Sequence, residues 1–384
     1  MSLFRSQGEK DLPVKTLNSK APMKTKKHTI LIAGASGVVG QAVTEHFAAL
    51  EDWGVYALSR RAPKLPPAVI HVPVDLMDLQ ACQSAAKNLT GITHLFFGAL
   101  FELPELVPGW QDPLQMKTNE TMLRNLLDAL NPQARGLRHV TLMQGTKAYG
   151  GHIEPAPVPA KERWPRHKHA NFYWLQEDIL RERQPKSAWN FTILRPQLVF
   201  GYAVSSPMNV VGAIGAYAAM LREKGDPLHY PGGGKYINAA SDSRMIAQAA
   251  EFAGTHEIAA NETYNVVNGD VLVWQDIWGS IANHFGMPPG EHKPLHLSTV
   301  MPGCESEWAG IVNKYKLQGL KLSELIGSSW QFTDRALAYG VEHPADSVLS
   351  AILLRQHGFG GCFDTEDSLL YWIDKMQSER LLPR

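Results

Sequence analysis

The first apolar run of the chain, His28-Thr-Ile-Leu-Ile-Ala33, leads directly into Gly34-Ala-Ser-Gly37-Val-Val-Gly40 and then a helical stretch from Gln41. A strand, a glycine turn and a helix in immediate succession leave few folds open. Gly34 permits a tight turn, Gly37 lets a ligand approach the backbone, and Gly40 lets the helix lie close on the strand. Free N–H groups at the helix start, aided by its dipole, then suit a diphosphate. Glycines also mark ordinary turns, and it is the strand–turn–helix context that identifies a nucleotide loop.

From residue 28 to about 200, short apolar runs alternate with helical stretches, the pattern of a parallel sheet wound by helices. The pattern predicts strands at 28–33, 54–58, 69–72, 93–98, 138–143 and 190–195, and helices near 38–50, 78–88, 115–130 and 171–183. A further strand at 263–267 is expected to return to the same sheet, and a helical run spans Pro207 to Lys224. The expected class is α/β, a Rossmann-type doubly wound parallel sheet with a smaller, mostly helical C-terminal part that covers the substrate. The nucleotide-binding core is expected over 28–200, with 237–268 returning to it, and the covering part over 201–236 and 269–384. Residues 1–27, lysine-rich with little apolar periodicity, read as a flexible tail. A basic targeting peptide is the alternative reading, opposed by Glu9, Asp11 and the shortage of arginine.

Lys+Arg and Asp+Glu both number 37, so no net field draws the chain to nucleic acid or anionic lipid. Cys82, Cys304 and Cys362 are scattered, without metal-ligand spacing, and read as reduced thiols. No stretch is apolar and long enough to span a membrane. A cytoplasmic protein acting on a small molecule, as monomer or homodimer, is expected, with no metal.

The second strand ends Tyr56-Ala-Leu-Ser59-Arg60-Arg61, where an NAD enzyme carries an acid for the adenosine ribose. Two arginines suit a 2′-phosphate, which favours NADPH/NADP+; a pair of solvated surface arginines is the plainer reading. Asp75 and Leu76, after the third strand, are placed to meet the adenine, while Asp78 beside them suits a helix cap. A reductase of this architecture usually carries Tyr-x-x-x-Lys on one helix. Here Tyr173 is followed four residues on by Glu177, and a lysine occurs instead at Lys147, just after the fifth strand. A tyrosine hydroxyl can donate to a carbonyl oxygen that gains charge, and a nearby ammonium favours its ionised form. Tyr149 and His152 are rival acids close to Lys147. Taken singly, Tyr173 reads as packing and Lys147 as a solvated cation.

Several segments together carry a family resemblance: the glycine loop, Ser59-Arg60-Arg61, Val74-Asp75-Leu76 and Thr93-His94-Leu95-Phe96. Gly145-Thr146-Lys147-x-Tyr149, Asn171-Phe172-Tyr173, Glu177-Asp178-Ile179-Leu180, Arg195-Pro196-Gln197-Leu198-Val199-Phe200-Gly201 and Met208-Asn209-Val210-Val211-Gly212 continue it. Through most of 28–270 the chain resembles the progesterone 5β-reductase/iridoid synthase-like family of extended short-chain reductases. The resemblance implies that Lys147 and Tyr173 are the catalytic pair of an NADPH-dependent 1,4-reductase of α,β-unsaturated carbonyl compounds. It implies a cofactor held by Gly34, Ser36, Gly37, Val38, Val39 and Gly40, by Ser59, Arg60, Arg61, Asp75 and Leu76, and by Lys147, Tyr173, Pro196, Leu198 and Val199. Phe101, Trp110, Tyr149, Met208 and Asn209 would line an apolar pocket for an enone, a terpenoid aldehyde or a steroid. Trp174, Gln144, Ala33 and Ala148 depart from the family's usual tyrosine, threonine, threonine and histidine. A 1,2-carbonyl reductase, a nucleotide-sugar epimerase/dehydratase and a non-catalytic NADP-binding sensor are the alternatives.

Overall fold

The computed structural model describes residues 26–131 and 134–384, so the expected tail lies outside the described residues except for Lys26 and Lys27. The chain first lays down β1 (His28–Ala33), β2 (Trp53–Ser59), β3 (Ile70–Pro73), β4 (His94–Phe97), β5 (His139–Met143) and β6 (Asn190–Pro196). Three short strands, β7 (Leu198–Phe200), β8 (Leu228–Tyr230) and β9 (Ala240–Asp242), precede β10 (Thr263–Val266). Among the described residues, seven strands form the main sheet in the order β10-β6-β5-β4-β1-β2-β3, every pairing parallel. Strands covered on both faces need near-continuous apolar runs, and β1 and β2 supply them. The order in which strands are added reverses beside β1, which pairs with β4 on one side and β2 on the other. Such a switch point leaves a crevice at the carboxyl ends of the strands.

Alternate side chains of each strand feed two separate cores. Helices α1 (Val38–Ala49) and α7 (Ser243–Thr255) cover one face, with Val43, Phe47 and Ile246 against Ile30 and Ile32. On the other face α2 (Leu79–Ala86), α4 (Pro113–Leu130) and α5 (Phe172–Arg183) set Leu123 and Leu180 against Leu31 and Val140. The single-turn α3 (Leu106–Gly109) lies just before α4. Local chemistry starts these helices: Asp78, Asp112 and Asn171 each accept a backbone N–H as N-cap, and Pro113 opens α4.

The covering part is organised around α6 (Val210–Lys224), whose residues 210–220 are all buried. A helix apolar on every side must be central. Trp274 and Trp278 of α8 (Trp274–His284), with Trp308, Trp330 and Trp372, surround it. The helix starts three residues after Pro207 because Asn209 caps it, accepting from Gly212 N at 3.1 Å. Leu354 and Phe359, from the expected covering segment, pack instead under the sheet beside α7 and β10. Among the described residues no helix is long and apolar enough to cross a membrane, and the three cysteines are unpaired.

Candidate active site

A cleft of about 1280 Å³ opens over the carboxyl ends of β1, β4, β5 and β6. That exceeds the roughly 300–1,000 Å³ of a pocket for one drug-sized ligand. Gly34 to Gly40, Gly98, Gln144 to Lys147 and Pro196 to Val199 form its floor, and segments 204–208 and 332–347 supply much of its roof.

The glycine loop is sterically committed. Gly34 has φ +88°, and a Cβ there would lie 2.6 Å from Ala99 N; a Cβ on Gly40 would lie 2.0 Å from the Gly34 carbonyl oxygen. Helix α1 begins at Gly37 with no side-chain cap and no acid in its first turn, so its leading N–H groups are left to an external acceptor. Ser36, Val38 and Val39 line the cleft with them. Arg60 and Arg61 also line it, exposed and without an ion-pair partner among the described residues. Lys64 beside them is paired to Glu379 at 2.6 Å. Ser59 does not line the cleft; its hydroxyl donates to the Arg61 carbonyl at 2.8 Å and shapes the turn. Asp75 accepts from Met77 N at 2.9 Å, Leu76 is buried in the core, and neither lines the cleft. An uncapped helix start, a backbone cradle closed to a Cβ at Gly34 and Gly40, and two guanidinium groups without an ion-pair partner among the described residues fit a nicotinamide dinucleotide.

Lys147 stands in a 3₁₀ turn (Thr146–Tyr149) after β5, and Tyr173 in the first turn of α5. Asn171 ties them together: its Oδ1 accepts from Tyr173 N at 3.0 Å and its Nδ2 donates to the Lys147 carbonyl at 3.1 Å. Lys147 Nζ lies 5.7 Å from the Tyr173 ring centroid, 5.5 Å from Phe172 and 4.6 Å from Trp110. A Cβ on Gly145 would lie 3.2 Å from the Tyr173 hydroxyl, so glycine keeps that space open. Lys147 Nζ meets the carboxylate of Glu102 at 3.4 Å, both side chains largely buried. Burial pushes the Lys147 ammonium below its usual range, and Glu102 opposes that shift. Burial likewise holds the Glu102 carboxyl above its usual range, against the pull of Lys147. The Tyr173 phenol is raised, first by burial and then by the Glu102 carboxylate, with Arg195 opposing. Tyr173 therefore stays protonated and acts as a donor.

Glu177, in the place of the usual lysine, is a buried hub. Arg166, Arg181 and Arg195 reach it at 3.0, 2.9 and 3.6 Å. Gln144 donates to it at 3.2 Å and accepts from Arg195 Nε at 2.8 Å. Burial would raise the Glu177 carboxyl, but Arg166 and Arg181 hold it below its ordinary value.

Of the expected pocket residues, Trp110 and Met208 line the cleft, as do Pro196, Leu198 and Val199. Phe101 is half-buried against the core, its backbone N–H donating to Asn119 at 2.9 Å. Asn209 is engaged as the α6 cap, with Nδ2 donating to the Ala203 carbonyl at 3.2 Å. The Tyr149 hydroxyl is committed to Asn265 Oδ1 at 2.6 Å. His152 lines the cleft with Nδ1 unpartnered; burial, His169 and Lys147 hold its imidazole down to about 3. Two charged residues at the site escaped the sequence reading. Glu102 lies between Phe101 and Leu103, where only the apolar neighbours drew notice, and Arg335 carries no motif.

Parallel topology, nucleotide cradle and a Tyr–Lys pair at the sheet's carboxyl edge define a Rossmann-fold oxidoreductase of the short-chain dehydrogenase/reductase superfamily. Within that class the chain belongs to the PRISE-like Rossmann-fold domain family, whose model matches residues 75–332. It is 33% identical to a 3-oxo-Delta(4,5)-steroid 5-beta-reductase of Arabidopsis thaliana over 96% of this chain and 97% of that protein. An (S)-8-oxocitronellyl enol synthase of Camptotheca acuminata is 32% identical, over 92% and 93% of the two chains. Among solved structures, a UDP-glucose 4-epimerase of Thermus thermophilus in complex with NAD has a TM-score of 0.64 at 18% identity, covering 91% of this chain and 99% of that one. A putative epimerase of Burkholderia cenocepacia has a TM-score of 0.65 at 18% identity, covering 92% and 100%. These two likenesses concern the fold.

Proposed function

We propose that the protein is an NADPH-dependent 1,4-reductase of α,β-unsaturated carbonyl compounds. The observation that carries this reading is the meeting of Lys147 and Tyr173, from separate segments, on the floor of one cleft. The curated relatives, named for a steroid 5-beta-reductase and for oxocitronellyl enol synthases, support it. NADPH, when bound, supplies a hydride for the β-carbon of the substrate. Arg60 and Arg61 hold its 2′-phosphate, and the start of α1 holds its diphosphate. Lys147 orients the nicotinamide ribose, with Glu102 fixing the ammonium from behind. Tyr173 donates a hydrogen bond to the carbonyl oxygen and strengthens it as the enolate develops. Solvent delivers the proton to the α-carbon, so each turnover consumes one enone, one NADPH and one proton.

The test is turnover of 2-cyclohexen-1-one and progesterone with NADPH or NADH, followed by product analysis. A saturated ketone, formed faster with NADPH and lost in Lys147→Ala, is the expected result. An allylic alcohol would assign 1,2-reduction, and cofactor binding without any product would favour a sensor.

A further inference from the structure

The cleft wall opposite the cofactor loop carries a cation that no protein acid answers. Arg335 lies in the last turn of the helix Ser329–Ala336 and faces the cleft. Its guanidinium lies 5.3 Å from the centroid of Trp110, the ring over which Lys147 Nζ lies at 4.6 Å. It donates to the Gly151 carbonyl at 3.2 Å, its one hydrogen bond among the described residues, while a guanidinium has five N–H donors. Three carboxylates line the cleft, Glu154, Asp334 and Glu379. Glu154 is bound to His167 at 3.0 Å, Asp334 accepts from Leu297 N and Ser298 N at 2.8 and 2.9 Å, and Glu379 is paired to Lys64. Glu102, the remaining acid nearby, is occupied by Lys147. Next to Arg335, on the same indole, His152 keeps Nδ1 without a partner, its ring centroid 5.9 Å from that of Trp110.

Cofactor phosphates do not account for this cation. Their cradle follows β1 and β2, whereas Trp110 and Gly151 flank Lys147 at the tip of β5. Strand β5 stands two spacings from β1 and three from β2, which sets its tip roughly 10 Å from the diphosphate cradle and roughly 14 Å from the arginine turn at ~4.8 Å per strand. Resting on the reductase reading above, we infer that the substrate carries a carboxylate which Arg335 binds. Two cations on one indole bracket a small unsaturated oxo acid, its carbonyl oxygen at Tyr173 and its carboxylate on the guanidinium. A bidentate guanidinium–carboxylate pair fixes orientation as well as binding.

The probe is an enone with a pendant carboxylate, (E)-6-oxohept-4-enoate, compared with its methyl ester, which holds the same reacting bonds. The acid is expected to exceed the ester in kcat/KM by roughly 10–100-fold, the usual strength of one buried charge-assisted contact. Arg335→Leu should abolish that preference and Arg335→Lys should restore part of it, with NADPH affinity held within about twofold in both. Equal rates for acid and ester in the native enzyme would overturn the inference. So would an Arg335→Leu effect on NADPH affinity in place of the acid/ester ratio, which would hand the guanidinium to the cofactor. Calorimetry of the saturated acid on the enzyme with NADP+ separates the two layers of the argument. Arg335-dependent binding with no reduction of either probe upholds the anion site and refutes the reductase reading. Turnover of the ester with no binding of the acid does the reverse.

Discussion

The role proposed for Tyr173 rests on surroundings that keep its phenol neutral. Burial and the Glu102 carboxylate raise its pKa, so the hydroxyl is held protonated and available as a donor. Tyr173→Phe should lower kcat by roughly 10²–10³-fold, the cost of one oxyanion donor, and leave NADPH affinity intact; a fall in affinity with kcat unchanged would assign the hydroxyl to binding. Lys147 is more exposed to pH. Burial already lowers its pKa and Glu102 works against that shift. The ammonium is the charged form, so removing the carboxylate must lower the pKa further. In Glu102→Gln the alkaline limb of kcat/KM should therefore move to lower pH, read from a pH profile; a limb moved upward would refute the pairing. The paired arginines make a third prediction at this scale. Arg60→Ala with Arg61→Ala should remove most of the preference for NADPH over NADH, measured as the ratio of dissociation constants, because a 2′-phosphate loses both forks.

At the scale of elements, the strand–loop–helix unit tolerates nothing larger than glycine where α1 crosses β1. The Cβ of Gly40→Ala would stand 2.0 Å from the Gly34 carbonyl oxygen. That substitution should destabilise the protein by roughly 3 kcal/mol and abolish nucleotide binding. Gly279, inside α8, meets nothing within 4 Å. Gly279→Ala should accordingly raise stability by about 0.5–1 kcal/mol and Tm by ~1–3 °C. Elements of this kind were legible in the sequence because they repeat a period. Apolar runs marked β1 to β6 to within two residues, and the glycine spacing marked the loop. The candidate site was legible where a segment carries a motif, as with the tyrosine and the lysine that meet in the cleft. It was illegible where single charged residues line or back that cleft. Glu102 and Arg335 look in sequence like any solvated charge, and only the fold brings them to Trp110, 8 and 225 positions away in the numbering. Asp75 shows the opposite limit, since a turn acid aimed at an adenine and one capping its own backbone have the same local sequence.

The whole molecule is polarised along the strands. Neutral histidines gather at the amino edge of the sheet, where His28 and His94 pack on Trp53 and His139 packs on His94, and cations gather at the carboxyl edge. Burial holds His94 down to about 4, opposed by the ring's hydrogen bond to the Gly254 carbonyl and helped by repulsion from His139, His28 and Arg138. Burial likewise holds His139 at about 4, against Asn190. These folded values lie below the unfolded value of 6.5. Their contribution is therefore complete above pH 6.5 and is lost as pH falls toward 4, on the order of 2–3 kcal/mol for each. Urea midpoints should fall steeply between pH 6.5 and 4, and less so in His139→Gln; a flat profile would refute the argument. At the other edge, Lys147 and Tyr173 are proposed to serve hydride addition to carbon conjugated with a carbonyl. The most direct measurement is the position of label after turnover of 2-cyclohexen-1-one with NADPH deuterated at the transferred position. Deuterium on the β-carbon of cyclohexanone, accumulating roughly 10²–10³-fold more slowly with Tyr173→Phe, is the predicted result; deuterium on the carbinol carbon of an allylic alcohol would contradict it.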